Sequence, residues 1–335
     1  MGLKLIKYKM QIILICSIIF FGSVIYGFTQ STTSVLSEKF VILVKPGMAA
    51  NDIGDLLYKQ GAIKSIVLFR IVSKIQGMEN SMQPGEYVFS KNMTVQQIVA
   101  MLARGETSDE HITIPEGYTV EQIAKLLEEK QLGSAKNFRE VAQSFVPYNY
   151  MINDNSNVKY KSEGYMFPDT YQITKGTTEQ QILSMMTMQF DKQFTESMRL
   201  KAIENGLSIK DVIILASLVE KEAQLPSDRP IIAGVFLNRL KQNMPMQSCA
   251  TIQYILGYPK AELTVQDTEI SSPYNTYQHM GLPPGPIANP GIASINAVLY
   301  PQNTDFIYFV ADKQGAHHFS KTYAEHLIAI EQVSK

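Results

Sequence analysis

Glu220 is the residue of this chain whose placement most invites chemistry. In a helix opening at Ile209, 3.6 residues per turn put Ile209, Ile213, Ala216 and Glu220 on one stripe, flanked by Val212, Val219 and Ala223. An acid on an apolar face must be neutral, paired or turned into a cavity. Desolvation raises its proton affinity, and the partial negative charge of a helix C-terminus acts the same way. A carboxyl that keeps its proton near neutral pH can be the general acid that cleaves a glycosidic bond. The spacing equally admits a structural ion pair with Arg229 or Arg239 on the following helix. Glu222 falls near Asp211, on another side of the helix, and is not part of this stripe.

Two other segments carry groups suited to sugars. The string E-G-Y-M-F-P-D-T-Y combines the acids Glu163 and Asp169 with the aromatics Tyr165, Phe167 and Tyr171. Aromatic faces stack on sugar rings and acids orient hydroxyls, although the same string also suits an ordinary aromatic turn. The second segment, Ser271 to Pro290, is rich in proline and glycine, hence rigid, non-helical and on the surface. Its Asn275, Thr276, Tyr277 and Asn289 could line a saccharide groove, or the loop could be a lid or brace.

Other chemistries lack their residues. No H-E-x-x-H, G-x-S-x-G or G-x-x-x-x-G-K-[ST] string occurs. His317 and His318 are adjacent at a strand end, so they point opposite ways and make a poor metal pair; a structural role suits them better. Cys16 and Cys249 lie far apart, and no cluster has metal-ligand spacing. Neither a metal nor another cofactor is expected. A net charge of −1 over 335 residues supplies no basic field for nucleic acid. With no tryptophan, sugar stacking would fall to the 17 tyrosines and 15 phenylalanines.

The elements that must position these residues follow from periodicity and caps. Met10 to Phe28 is uncharged and dominated by Ile, Leu, Phe and Val, long enough to span a bilayer. Lys4, Lys7 and Lys9 precede it, which keeps the N-terminus cytoplasmic and places the rest of the chain outside. An uncleaved anchor is favoured over a signal peptide, because Tyr26, Gly27 and Phe28 stand where small residues would be needed for cleavage. Thr94, Thr119 and Thr178 each precede a glutamine by three residues, the signature of a capping box. Strand, tight turn and capped helix therefore recur, either as an internal repeat or as a common way to build α+β structure. Val41 to Gly105 has the shape of a small β-α-α-β module. Helices follow at about 206–223 and 229–240, and a strand at Phe306 to Val310.

Taken together, several strings resemble the endolytic murein transglycosylases, the MltG or YceG-like family. They are E-G-Y-M-F-P-D-T-Y, A-S-L-V-E-K-E-A at Ala216 to Ala223, and G-V-F-L-N-R-L at Gly234 to Leu240. S-P-Y-N-T-Y, G-L-P-P-G-P-I-A-N-P-G, Y-F-V-A-D and G-A-H-H-F-S follow in the family's order. The resemblance implies an α+β protein with one transmembrane helix, a small LysM-like subdomain and a larger α+β catalytic domain. On this chain that gives a cytoplasmic tail at 1–9, an anchor at 10–29, a linker at 30–40, the LysM-like part at 41–108 and the catalytic part at 109–335.

It further implies that the first Glu of V-E-K-E, Glu220, is catalytic, and that Glu163 lies beside the cleft. Met244 to Thr251 reads M-P-M-Q-S-C-A-T; Gln247 and Thr251 match the family, and Cys249 replaces an acid common there. The implied substrate is the peptidoglycan strand, with peptidoglycan synthases as suggested neighbours. The implied reaction cuts the MurNAc–GlcNAc bond and leaves 1,6-anhydro ends, one glutamate serving as acid and then base. A lysozyme-like hydrolase and a non-catalytic, membrane-anchored wall-binding scaffold are the alternatives.

Overall fold

The computed structural model describes residue 15 and residues 39–90, 93–107, 110–174, 176–260 and 263–334. The anchor expected at 10–29 lies outside the described residues apart from Ile15. Among the described residues no helix is long and apolar enough to cross a membrane. The chain divides into two units, one ending at Glu110 with 172–175 added, the other holding 111–171 and 176–335.

In the first unit, strand β1 (Lys39–Val44) is followed by helices α1 (Ala50–Lys59) and α2 (Ile66–Ile75), strand β2 (Gly85–Ser90) and helix α3 (Val95–Arg104). β1 and β2 pair antiparallel, from Lys39 opposite Ser90 to Val44 opposite Gly85. Alternation along β1 turns Phe40, Ile42 and Val44 inward, onto Ile53, Leu57, Phe69 and Leu102. The strand–helix–helix–strand order expected from the sequence is present.

The second unit takes in β3 (Glu110–Thr113) from His111 on, helices α4 (Val120–Glu129) and α5 (Ala135–Ser144), and the first two residues of β4 (Thr170–Ile173). β3 pairs with β4, and the hydroxyls of Thr113 and Thr170 lie 2.9 Å apart. Then come α6 (Glu179–Gln193), α7 (Glu196–Glu204), α8 (Ile209–Glu222), α9 (Arg229–Lys241), α10 (Cys249–Leu256), α11 (Val265–Thr268) and α12 (Ile292–Leu299). The antiparallel hairpin β5 (Tyr308–Ala311) and β6 (His317–Ser320) precedes the last helix, α13 (Tyr323–Ser334). All three expected capping boxes form: Thr94, Thr119 and Thr178 each accept from the backbone of their glutamine, whose side chain accepts in return. Ser208 and Asp211 make a fourth at the start of α8.

α8 is the axis of this unit, packed by α9, α10 and α12. Every residue from Val212 to Val219 is buried. That corrects the single apolar stripe expected for it. A helix covered on all sides gives no face from which periodicity could choose its functional acid. Glu220 and Glu222, at the end of the helix, enter different surroundings.

Candidate active site

The two glutamates on the last turn of α8 point apart, as residues two positions apart on a helix must. Glu220 turns to the loop before α12. Its Oε2 accepts from the Gly291 amide at 2.9 Å, and its Oε1 lies 3.8 Å from Arg229 Nη2. The Glu220 side chain is only 6% exposed. Glu116 shares this corner: its carboxyl sits where a side chain on Gly291 would have to go. Burial raises the Glu116 pKa, the Glu220 charge adds to the rise, and Arg229 opposes it. Glu220 is thus enclosed and close to a guanidinium, contrary to the open cleft expected of it. This is the arrangement of the alternative reading, an ion pair that fastens the proline-rich loop to α8.

Glu222 faces a cavity of about 510 Å³, which Glu220 does not line. Its Oε1 accepts from Ser248 Oγ at 2.5 Å and from the Ala250 amide, in the first turn of α10, at 3.5 Å. Both bonds fall on one oxygen, Oε1. Burial raises the Glu222 pKa; the bonds from Ser248 and Ala250 and the nearby His317 and Arg239 oppose the rise. Arg239 is itself fixed, donating from Nε to Ile307 O and from Nη1 to Met246 O, both at 2.6 Å. Tyr277, Tyr308, Phe309 and Tyr323 give the cavity aromatic walls. Among the described residues on its wall, Glu222 is the one carboxylic acid.

The expected binding residues divide into wall and framework. Gln247 and Tyr277 line the cavity. Gln247 takes a left-handed φ of +46°, and its amide donates to Thr276 O at 3.0 Å. Thr251, Asn275, Thr276 and Asn289 are buried supports rather than groove groups. Thr276 Oγ1 accepts from the Ser248 amide and lies 3.0 Å from Thr251 Oγ1, so these two hold the segment that grips Glu222. Asn275 ties its own loop through Thr268 O and Ile270 O.

Glu163 is also a correction, because it is fully buried and does not border the cleft. It accepts from Val120 N, Tyr254 Oη and Asn289 Nδ2, joining α4, α10 and the proline-rich loop. Tyr165 and Phe167 are core residues, and Tyr171 is buried with its hydroxyl on Phe167 O. Asp169 is exposed but bonded to Gln189 Nε2 and to its neighbour's amide. The motif belongs to the packed core of this unit, and its polar groups are bonded within the protein.

Residues that the sequence reading missed are Glu222, Ser248 and His317. The signal for Glu222 was present in V-E-K-E, but only the packing around α8 separates its two acids. Two further cavities lie in this unit. One, of about 130 Å³, shares Lys221 and Gln253 with the Glu222 cavity and adds Tyr254 and Tyr258. The other, of about 610 Å³, has Asp211 as its acid, and that carboxylate is occupied in capping α8 through Ser208. No cluster of histidine, cysteine or acid that could hold a metal occurs among the described residues.

The profile of the YceG-like family matches residues 42–332. A Bacillus subtilis (strain 168) protein named endolytic murein transglycosylase is 34% identical over 304 residues, which cover 87% of this chain and 84% of that one. A Streptococcus pneumoniae (strain R6) protein of the same name is 32% identical over 320 residues, covering 87% of this chain and 58% of its own length. The crystal structure of a YceG-like protein from Listeria monocytogenes superposes with a TM-score of 0.61 at 33% identity, covering 87% of this chain and 99% of that one. With the profile spanning nearly all of the described residues and these relatives aligned along most of its length, the chain belongs to the YceG-like family.

Proposed function

We propose that this protein is an endolytic lytic transglycosylase of bacterial peptidoglycan, and that Glu222 rather than Glu220 is its general acid and base. The observation that carries the assignment is the 510 Å³ aromatic-walled cavity, on which Glu222 is the one carboxylic acid among the described residues and has its pKa raised by burial. In the first step the Glu222 carboxyl gives its proton to the oxygen joining MurNAc to GlcNAc. The anomeric C–O bond breaks, and its electron pair stays on the departing oxygen. The new carboxylate is stabilised by Ser248, the Ala250 amide, Arg239 and His317. It then takes the proton of the MurNAc C6 hydroxyl as that oxygen bonds to the anomeric carbon. The 1,6-anhydro ring closes, the carboxyl is restored and no water is consumed.

A retaining hydrolase would need a second carboxylate about 5–5.5 Å from the first, as nucleophile. Among the described residues the cavity wall offers none. The smaller cavity beyond Lys221 and Gln253 lengthens the groove, as a polymeric substrate requires. Met10 to Phe28 is read as the anchor that holds this unit on the outer face of the cytoplasmic membrane, and residues 41–108 as a LysM-like part.

The test is mass analysis of products from purified glycan strands, with Glu222→Gln as the control. Anhydro ends, and a loss of turnover of at least about 100-fold in the variant, are expected. Reducing ends alone would establish the hydrolase; strand binding without cleavage by the parent would establish the scaffold.

A further inference from the structure

A second bonded pair lies at the wall of the Glu222 cavity. Asp228 sits at the start of α9, and its Oδ2 accepts from the His317 amide at 3.0 Å and lies 2.9 Å from His317 Nδ1. The His317 side chain is 2% exposed, its ring set edge-on to Phe309 at 5.5 Å and tilted against Phe319 at 6.1 Å. The ring cannot swing, because two aromatic neighbours and a carboxylate fix it. Nδ1 is taken by Asp228, and the residue itself lines the cavity wall to which Glu222 also belongs. His318 points the other way; it is 47% exposed and meets Asp312 instead. A carboxylate that orients an imidazole beside a reacting acid sets both tautomer and charge at that acid.

We propose that Asp228 and His317 form a positioning dyad for Glu222, in which the clamped imidazole orients and electrostatically supports the Glu222 carboxylate formed when the glycosidic oxygen is protonated. This inference rests on the assignment of Glu222. Several other groups border the acid. Lys221 lies on its own helix and Arg239 on α9, and Cys249 and Tyr277 come from the loop side. Tyr308, Tyr323 and His326 close the far wall. Of these charged and titratable neighbours only Arg239 and His317 pull the Glu222 pKa down, while burial alone pushes it up. His317 in turn holds the Asp228 carboxyl below its usual range, so the two side chains act as one bonded unit whose ring lies on the wall that Glu222 shares. Because His317 lowers the Glu222 pKa, loss of the ring, or of the carboxylate that fixes it in place, lets the Glu222 proton be released at higher pH.

The experiment measures kcat and KM against pH on glycan strands for the parent, His317→Gln, Asp228→Asn and the outward-facing control His318→Gln. Asp228→Asn preserves shape and guards against a folding failure of His317→Gln, and circular dichroism checks both. The expected result is a 10- to 100-fold fall in kcat with KM within about threefold, in both dyad variants and not in the control. The basic limb of the kcat profile, which follows proton loss from Glu222, moves to higher pH in both. Folded dyad variants with the parent's kcat and pH profile would overturn the dyad while leaving Glu222 in place. An active Glu222→Gln would instead overturn the assignment beneath it.

Discussion

Glu220 and Glu222 stand two residues apart on one helix, yet their surroundings are opposite in kind. Around Glu220 the neighbours are a guanidinium, a glycine amide and a second carboxylate, packed against the proline-rich loop. Around Glu222 they are a serine hydroxyl, a helix-start amide and an aromatic-walled cavity. The first arrangement uses a charge to fasten two segments of chain. The second raises the proton affinity of an acid that borders an open cavity. An acid amid apolar residues is therefore insufficient evidence of catalysis; what decides is whether the space beside it is filled by protein or left for a ligand.

The sharpest way to break this comparison is to substitute the two acids in parallel. Glu222→Gln is expected to abolish turnover with little change in melting temperature. Glu220→Gln leaves Arg229 without its partner and is expected to cost on the order of 1–3 kcal/mol of stability while the folded enzyme still turns over. Thermal melts with single-turnover assays on strands would check both. Loss of activity from Glu220→Gln in a fully folded protein would reverse the roles assigned to the two sides of α8.

A smaller effect tests the framework assigned to the E-G-Y-M-F-P-D-T-Y segment. Burial raises the Glu163 carboxyl from an ordinary 4.5 to about 8, against the bonds from Val120 and Tyr254. The folded protein then binds this proton more tightly than the unfolded chain. Its contribution to stability is complete below about pH 4.5 and is lost as pH rises through about 8. The melting temperature is expected to fall over that window, and Glu163→Gln, which stays neutral, is expected to flatten the fall. An unchanged slope in the variant would show that Glu163 is not the buried proton carrier.

The smallest effects concern the rim of the cavity. Cys249 Sγ lies 3.1 Å from Tyr277 Oη, and burial raises the pKa of both groups. Cys249→Ser keeps a hydrogen-bonding partner there and is expected to hold kcat/KM within about twofold, while Tyr277→Phe raises KM by about two- to tenfold. Steady-state kinetics would read both. A larger loss from Cys249→Ser than from Tyr277→Phe would move the sugar contact from the ring to the thiol.

The sequence by itself determined the local order of this protein. Thr94, Thr119 and Thr178 with their glutamines announce helix starts, since a capping box is satisfied within four residues. The helix that becomes α8 and the opposite directions of His317 and His318 were equally legible, being set by bonds and angles of the chain itself. The polar residues of the motifs were visible as a set, but their division into cavity wall and buried support was not. Glu163 and Asn289 read as binding groups because acids and amides suit sugars, yet they bond Val120, Met166 and each other instead. The choice between Glu220 and Glu222 was likewise left to tertiary structure. Both acids follow the same buried stretch of α8, and their surroundings come from segments more than twenty residues away: Gly291 for one, Ser248 and His317 for the other. Desolvation and charge act through space, so a helical period can place an acid on a turn but cannot say what stands opposite it.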